Sequence, residues 1–260
     1  MAKPIIVKSK KTAGQHQNKK SLATRYQIVD AARGFSIALM IAYHFCFDLN
    51  LYRFIQQDFH HAPFWLTARS LIVTLFLLIV GISLVLAQKN SHQQQSRRLL
   101  KLGGCAALVT LGSMLVFPQS YIFFGILHFI VVASLMGRAM LRFYWLNLVL
   151  GGVMILTGLY FSHPIFDQSW LQWLGLMTYK PITEDYVPLV PWLGVVLSGI
   201  FFGKFLLKQP VFAAATMPPK TLRQPISALA WLGRRSLLIY MLHQPILLAG
   251  LSAWSWLSQN

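Results

Sequence analysis

Seven runs of mostly apolar residues, at about 28–50, 66–88, 99–117, 121–137, 143–162, 188–207 and 236–257, alternate with segments that collect the charged and amide side chains. A helix rising about 1.5 Å per residue needs about 20 apolar residues to cross a hydrocarbon layer of about 30 Å. The pattern therefore predicts an all-α, polytopic integral membrane protein with about seven transmembrane helices and no soluble domain. One polar excursion is long, residues 163–187, and its Trp170, Leu171, Trp173 and Leu174 suit a short helix lying along the interface as a lid. No internal duplication is visible, so the inverted repeats common in secondary transporters are not expected.

The polar segments are not alike. Lysine and arginine gather before the first run and after the second, fourth and sixth, whereas Asp48, Asp58, Asp167, Glu184 and Asp185 fall on the other side. That bias predicts a cytoplasmic N-terminus and an extracytoplasmic C-terminus, with most tryptophans near the outer ends of the spans. Residues 1–24 are lysine-rich and polar, longer and less apolar than a cleavable signal peptide. They are expected to form a disordered basic cytoplasmic tail against anionic headgroups, ahead of a membrane domain at 25–260.

Composition excludes two function classes. With 56% hydrophobic and 11% charged residues the chain is too apolar for a soluble globular protein, so its solvent is the lipid bilayer. A formal charge of +17 would suggest nucleic acid if it formed one patch, but the basic residues lie between the apolar runs, and no nucleic-acid partner is expected. Cys46 and Cys105 both sit inside runs, with neither a disulfide framework nor a zinc-site spacing.

Candidate chemistry concentrates in the first run. Asp30, Arg33, His44 and Asp48 are ionisable groups that lipid alone does not tolerate. On a helix Arg33 and His44 lie within about 20° of one face and about 16 Å apart, with Asp30 and Asp48 each one turn from a partner. His44 is suited to proton transfer with Asp48 orienting it, or to a hydrogen bond with a neighbouring helix. Arg33 is suited to gripping phosphates, or to pairing with Asp30. His128 and His243 reach toward the depth of His44, with Tyr240 on the face of His243 and Pro245 expected to kink that helix. His60 and His61, beside Asp58 before the second run, suit a base, a metal site or an exposed polar pair. Glu184 and Asp185 suit a helix cap or an acceptor-binding carboxylate.

The stretches RYQIVDAARGF at 25–35, EDYVPLVPWLGVVLSGI at 184–200 and LGRRSLLIYMLHQPIL at 232–247 together resemble small bacterial members of the heparan-alpha-glucosaminide N-acetyltransferase catalytic-domain family. The Arg33-to-His44 spacing and the pattern from Arg234 to His243 are also similar to membrane acyltransferases that O-acetylate surface polysaccharides. Both resemblances imply transfer of an acetyl group from cytosolic acyl-CoA to an extracytoplasmic sugar, glycan or glycolipid in the bacterial inner membrane, with acetyl-CoA as donor and no metal. The reading of the residues places Arg33 and Asp30 at the donor, with His128, Asp185, Tyr240 and His243 along the substrate path; a homo-oligomer follows from the resemblance alone. In the lysosomal enzyme the histidine lies in the outer loop before the second span, the place of His60 or His61, whereas His44 answers to the polysaccharide acetylases. The catalytic assignment is therefore open among His44 with Asp48, His60 and His61. From the residues alone, a proton-coupled transporter of a small anionic or sugar-like solute is the rival reading.

Overall fold

The computed structural model describes residues 10–209 and 220–259. The described elements are helices α1 (Lys10–Leu51), α2 (Pro63–Leu86), α3 (His92–Val116), α4 (Ile126–Met140), α5 (Trp145–Tyr160), α6 (Leu189–Lys208), α7 (Lys220–Arg234) and α8 (Ser236–Gln259), with short 3-10 turns between some of them. No strand occurs among the described residues. Five segments are long and apolar enough to cross a membrane: Gln27–Leu51, Pro63–Lys89, His92–Val116, Leu189–Lys208 and Ser236–Ser258. The chain is thus an all-helical, multi-pass membrane protein. Helices α4 and α5 are apolar but only 15 and 16 residues long, a rise of about 22–24 Å against a core of about 30 Å.

Local chemistry sets several boundaries. Pro63 opens α2, where a missing N–H is harmless. Ser91 and Gln94 form a reciprocal capping box at the start of α3. The fourth apolar run was expected to be helical from 121, but α4 starts at Ile126. Residues 121–125 are instead held out of the helix by side chains: Ser113 accepts from the Ile122 N–H, Thr110 and Thr183 donate to the Ile122 and Tyr121 carbonyls, and Asp185 accepts from the Ile126 N–H. In α1 the helix already runs from Lys10, so most of the lysine-rich stretch expected to be a tail is continuous with the first helix; residues 1–9 lie outside the described residues. Part of the polar stretch after α6 forms α7, and α8 continues through Pro245.

The core is formed by α2, α4 and α6, with Leu77, Phe129, Ala133, Leu193, Val196, Leu197 and Ile200 among its most buried side chains. Two glycine contacts bring backbones together. A Cβ at Gly81 would strike the Val196 carbonyl and the backbone of Gly199, which fixes the α2–α6 crossing. A Cβ at Gly34 would strike the Leu229 carbonyl, and one at Gly233 the Asp30 carbonyl, so α7 lies directly against α1. Outward faces carry large apolar side chains such as Leu100, Leu115, Trp145, Val149 and Ile246, as lipid-facing helices require.

The long excursion at 163–187 is a compact loop with two 3-10 turns, Pro164–Asp167 and Gln172–Leu174, in place of the expected interfacial helix. Asp167 closes it by accepting from the Thr178 N–H and hydroxyl, each at 2.8 Å. Trp173 and Leu174 pack against the core while Trp170 stays exposed. Tyr186 donates to the Gln172 carbonyl at 2.6 Å, and its burial pushes the phenol above its ordinary pKa.

Candidate active site

One turn of helix separates His44 from Asp48 on α1, and both meet the α8 positions His243 and Gln244. The His44 and His243 ring centroids are 5.1 Å apart at 63°. Asp48 is fully buried, and its Oδ1 accepts from Gln244 Nε2 at 2.8 Å. The amide of Gln244, not the imidazole of His44, is therefore the described hydrogen-bond partner of this carboxylate. His243 Nδ1 donates to the Tyr240 carbonyl at 2.7 Å, which leaves the Nε2 lone pair of the neutral ring uncommitted.

The unsatisfied atoms are the informative ones. Among the described residues four buried side-chain polar atoms have no hydrogen-bond partner, and three belong to this cluster: Asp48 Oδ2, Gln244 Oε1 and His243 Nε2. Each is an acceptor, and each costs about 1–3 kcal/mol if left unpaired in a dry interior. A hydroxyl or amine entering here would meet acceptors for its hydrogens and, at His243 Nε2, a base for its proton.

A chain of bonds supports His243 from below. Tyr240 Oη donates to Asp185 Oδ2 at 2.7 Å, and the same oxygen accepts from the Ile126 N–H at 3.0 Å. Asp185 thus caps α4, where negative charge is favoured, while tethering the turn of α8 whose carbonyl holds His243. His128 does not join His44 and His243. It occupies the first turn of α4, where Nδ1 accepts from the Gly125 N–H at 3.3 Å and Nε2 is 3.1 Å from Thr110 Oγ1. Both ring nitrogens are occupied in ordering the start of α4.

The histidines before α2 form a second candidate group. Asp58 accepts from the backbone N–H of His60 and of His61 at 3.0 and 2.9 Å, and its side chain lies 3.1 Å from His61 Nδ1. His61 is 86% exposed, so this is a histidine–carboxylate pair open to solvent with Nε2 outward. Between the pair, Phe59 is only 2% exposed, stacked on Trp65 and edge-on to Tyr43 and Phe47. That aromatic anchor connects the outer loop to the helix carrying His44. The backbone hydrogen bond from His61 is the largest influence and, with the bond from His60 and the His61 charge, it outweighs an opposing desolvation and holds the Asp58 carboxyl below its ordinary value. A depressed carboxyl stabilises the loop above the unfolded value and loses that contribution as pH falls through the folded one. Acidification below about pH 4 is thus expected to lower the protection of the His60 and His61 amides relative to their intrinsic exchange rates. Unchanged protection in that window would dissociate Asp58 from the loop's order.

At the opposite end, Arg33 NH1 pairs with Asp30 Oδ1 at 2.9 Å and reaches the Gly233 carbonyl at 3.4 Å, while NH2 donates to Ser83 Oγ at 2.7 Å. One guanidinium joins α1, α2 and the α7–α8 junction. The pairing with Asp30 is the alternative that the sequence left open, and Ser83 and Gly233 are partners that no local spacing predicts. Gln244 was likewise not singled out; an amide next to an intramembrane histidine was the available signal. Among the described residues no three of His, Cys, Asp and Glu gather to hold a metal ion.

Residues 25–245 match a family model described as heparan-alpha-glucosaminide N-acetyltransferase, catalytic. No curated protein and no solved structure matches the chain.

Proposed function

Since the chain belongs to the heparan-alpha-glucosaminide N-acetyltransferase catalytic-domain family, whose activity is that of a membrane acetyltransferase, we propose that it moves an acetyl group from acetyl-CoA to an extracytoplasmic sugar, glycan or glycolipid in the bacterial inner membrane. On this reading the chain crosses the bilayer seven times, counting the short α4 and α5, with the basic helix ends in the cytoplasm and the C-terminus outside. The observation that carries the proposal is the set of three unpaired acceptors at Asp48, Gln244 and His243, which suits a nucleophile bringing an O–H or N–H into the bilayer-embedded part of the protein.

In the proposed reaction His243 Nε2, or His44 across the 5.1 Å ring contact, takes the proton as the acceptor oxygen or nitrogen bonds to the thioester carbonyl carbon. The carbon–sulfur bond then breaks, and the thiolate recovers a proton to leave as free CoA. Asp48 and Gln244 orient the acceptor, and Tyr240 with Asp185 fixes the His243 ring. His60 and His61 face the side from which the acceptor arrives, His61 oriented by Asp58, and suit either acceptor binding or a second proton-transfer position. His128 shapes the start of α4 beside Asp185. Arg33 and Asp30 hold the helix ends at the donor side.

The same unpaired acceptors also suit a proton site in a transporter. The melting temperature of detergent-purified protein with acetyl-CoA separates the two readings. At about a hundredfold excess over Kd a bound donor adds about 2.7 kcal/mol, a rise of about 5 °C or more for a chain of this size. No rise at saturating acetyl-CoA would favour the transporter.

A further inference from the structure

The arginine-rich end of the bundle is short of negative charge. The chain has 6 carboxylates for 23 lysines and arginines. Five of those carboxylates belong to the far end, and the sixth, Asp30, is taken by Arg33. The turn between α2 and α3 and the turn between α4 and α5 border an open cleft of about 590 Å³ lined by Arg138, Arg142, His92, Gln88 and Asn90. A smaller hollow sharing Arg138 carries Arg98, which is close enough to Arg33 for their charges to repel. Among the described residues no acidic side chain lines either space. Four guanidinium groups thus lie near one another with one carboxylate among them.

Both walls are held in place by bonds that leave the arginines to face the cleft. On the α4–α5 side, Asn147 Nδ2 donates to the Met140 and Phe143 carbonyls at 3.0 and 2.6 Å, and Lys204 donates to the Leu141 and Phe143 carbonyls. Arg142 is stacked on Phe143, 4.5 Å from the ring centre. On the α2–α3 side the Ser91–Gln94 capping box closes the turn, and Gln95 Nε2 donates to the Asn90 carbonyl at 2.8 Å. The volume falls in the range of about 300–1,000 Å³ typical of small-molecule sites. Planar guanidinium groups and primary amides around an acid-free space match phosphate oxygens and the hydrogen-bonding edge of a base.

We propose that this cleft seats a phosphate-bearing nucleotide through Arg138 and Arg142. On the acetyltransferase reading, on which the ligand's identity rests, it is the 3′-phosphoadenosine diphosphate end of acyl-CoA. Arg33, bonded to Asp30, Ser83 and Gly233 and lining neither space, contributes its field and not a phosphate contact. An anionic lipid headgroup offers the same phosphate chemistry, so the assay keeps the two sources apart.

The full chain is reconstituted in phosphatidylcholine nanodiscs, and binding of adenosine 3′,5′-bisphosphate is measured with acetyl-CoA as competitor. Arg138→Gln and Arg142→Gln are each expected to weaken binding about ten- to hundredfold, the loss of one charge-assisted phosphate contact. Arg53→Gln, at the opposite end, should leave it unchanged. Arg138→Lys keeps the charge but loses the fork, and an intermediate loss in that variant guards against misfolding of the glutamine variant. Acetyl-CoA binding equal in wild type and in both arginine variants would overturn the cleft and leave the acetyltransferase reading standing. Arg138-dependent nucleotide binding that acetyl-CoA does not displace would support the cleft and remove the acyl donor. Arg138-dependent binding of phosphatidylglycerol, with none of the nucleotide, would overturn the nucleotide assignment.

Discussion

His243→Ala is expected to lower acetyl transfer about a hundred- to ten-thousandfold, the usual weight of a positioned general base, while leaving acetyl-CoA binding near its wild-type strength. The reason is geometric. His243 carries the one basic nitrogen in the buried cluster whose partner atom on the same ring is fixed, through Nδ1 and the Tyr240 carbonyl. Its Nε2 stands with two carboxamide and carboxylate oxygens that also lack partners. Removing the ring takes away the proton acceptor and leaves the nucleophile oriented but unactivated, so kcat falls and donor affinity does not. His61→Ala, made in parallel, tests the solvent-exposed pair with Asp58. If activity survives in His243→Ala and vanishes in His61→Ala, the chemistry belongs to the outer loop and the buried cluster has another task. His243→Gln controls for packing, since it restores bulk and hydrogen bonding without a titratable nitrogen.

Much of this arrangement was legible from the apolar pattern because membrane crossing is a length constraint read one residue at a time. The runs at 66–88, 188–207 and 236–257 became α2, α6 and α8 with ends displaced by only a few residues. The run at 121–137 was less faithful, since hydropathy does not register that Thr110, Ser113, Thr183 and Asp185 would bond the backbone of its first residues in a non-helical form. With that shift His128 stands in the first turn of α4 and not seven residues into a helix. Helix α7 escaped notice because its mean hydropathy is low, and the contact that seats it, Gly34 against Leu229 and Gly233 against Asp30, joins residues about 200 positions apart.

For the candidate site, spacing within one helix was informative and pairing between helices was not. The stripe of Asp30, Arg33, His44 and Asp48 follows from 3.6 residues per turn, and Asp30 does bond Arg33. For Asp48, one turn from His44, the described hydrogen bond comes from another helix. A buried carboxylate needs donors, and the primary amide of Gln244 supplies one at 2.8 Å. Nothing local to α1 reveals that amide. The same limit applies to the cleft at Arg138 and Arg142, where two turns far apart in sequence contribute complementary walls. The excess of arginine at that end was visible as a topological signal, and the structure gathers part of it around one space.

Arg33→Ala is expected to destabilise the protein by about 3 kcal/mol, the lower end of the range for breaking a buried pair, because the two side chains are 19% and 20% exposed. Asp30 would be left without its cation, Ser83 Oγ without its donor, and the Gly233 carbonyl without its weaker contact. These three groups lie on separate elements, so the loss loosens the junction where α7 is pressed against α1 and α8 begins. Helix α8 carries His243, and a looser junction is felt as lower kcat as well as a lower melting temperature. A double variant, Asp30→Asn with Arg33→Ala, should recover part of the stability by removing the orphaned charge, which a direct phosphate-binding role for Arg33 does not predict. The measurement is the melting temperature of both variants with and without acetyl-CoA. A variant that melts like wild type but loses the acetyl-CoA shift entirely would instead make Arg33 a donor contact and move the phosphate site from the Arg138 cleft to the start of α1.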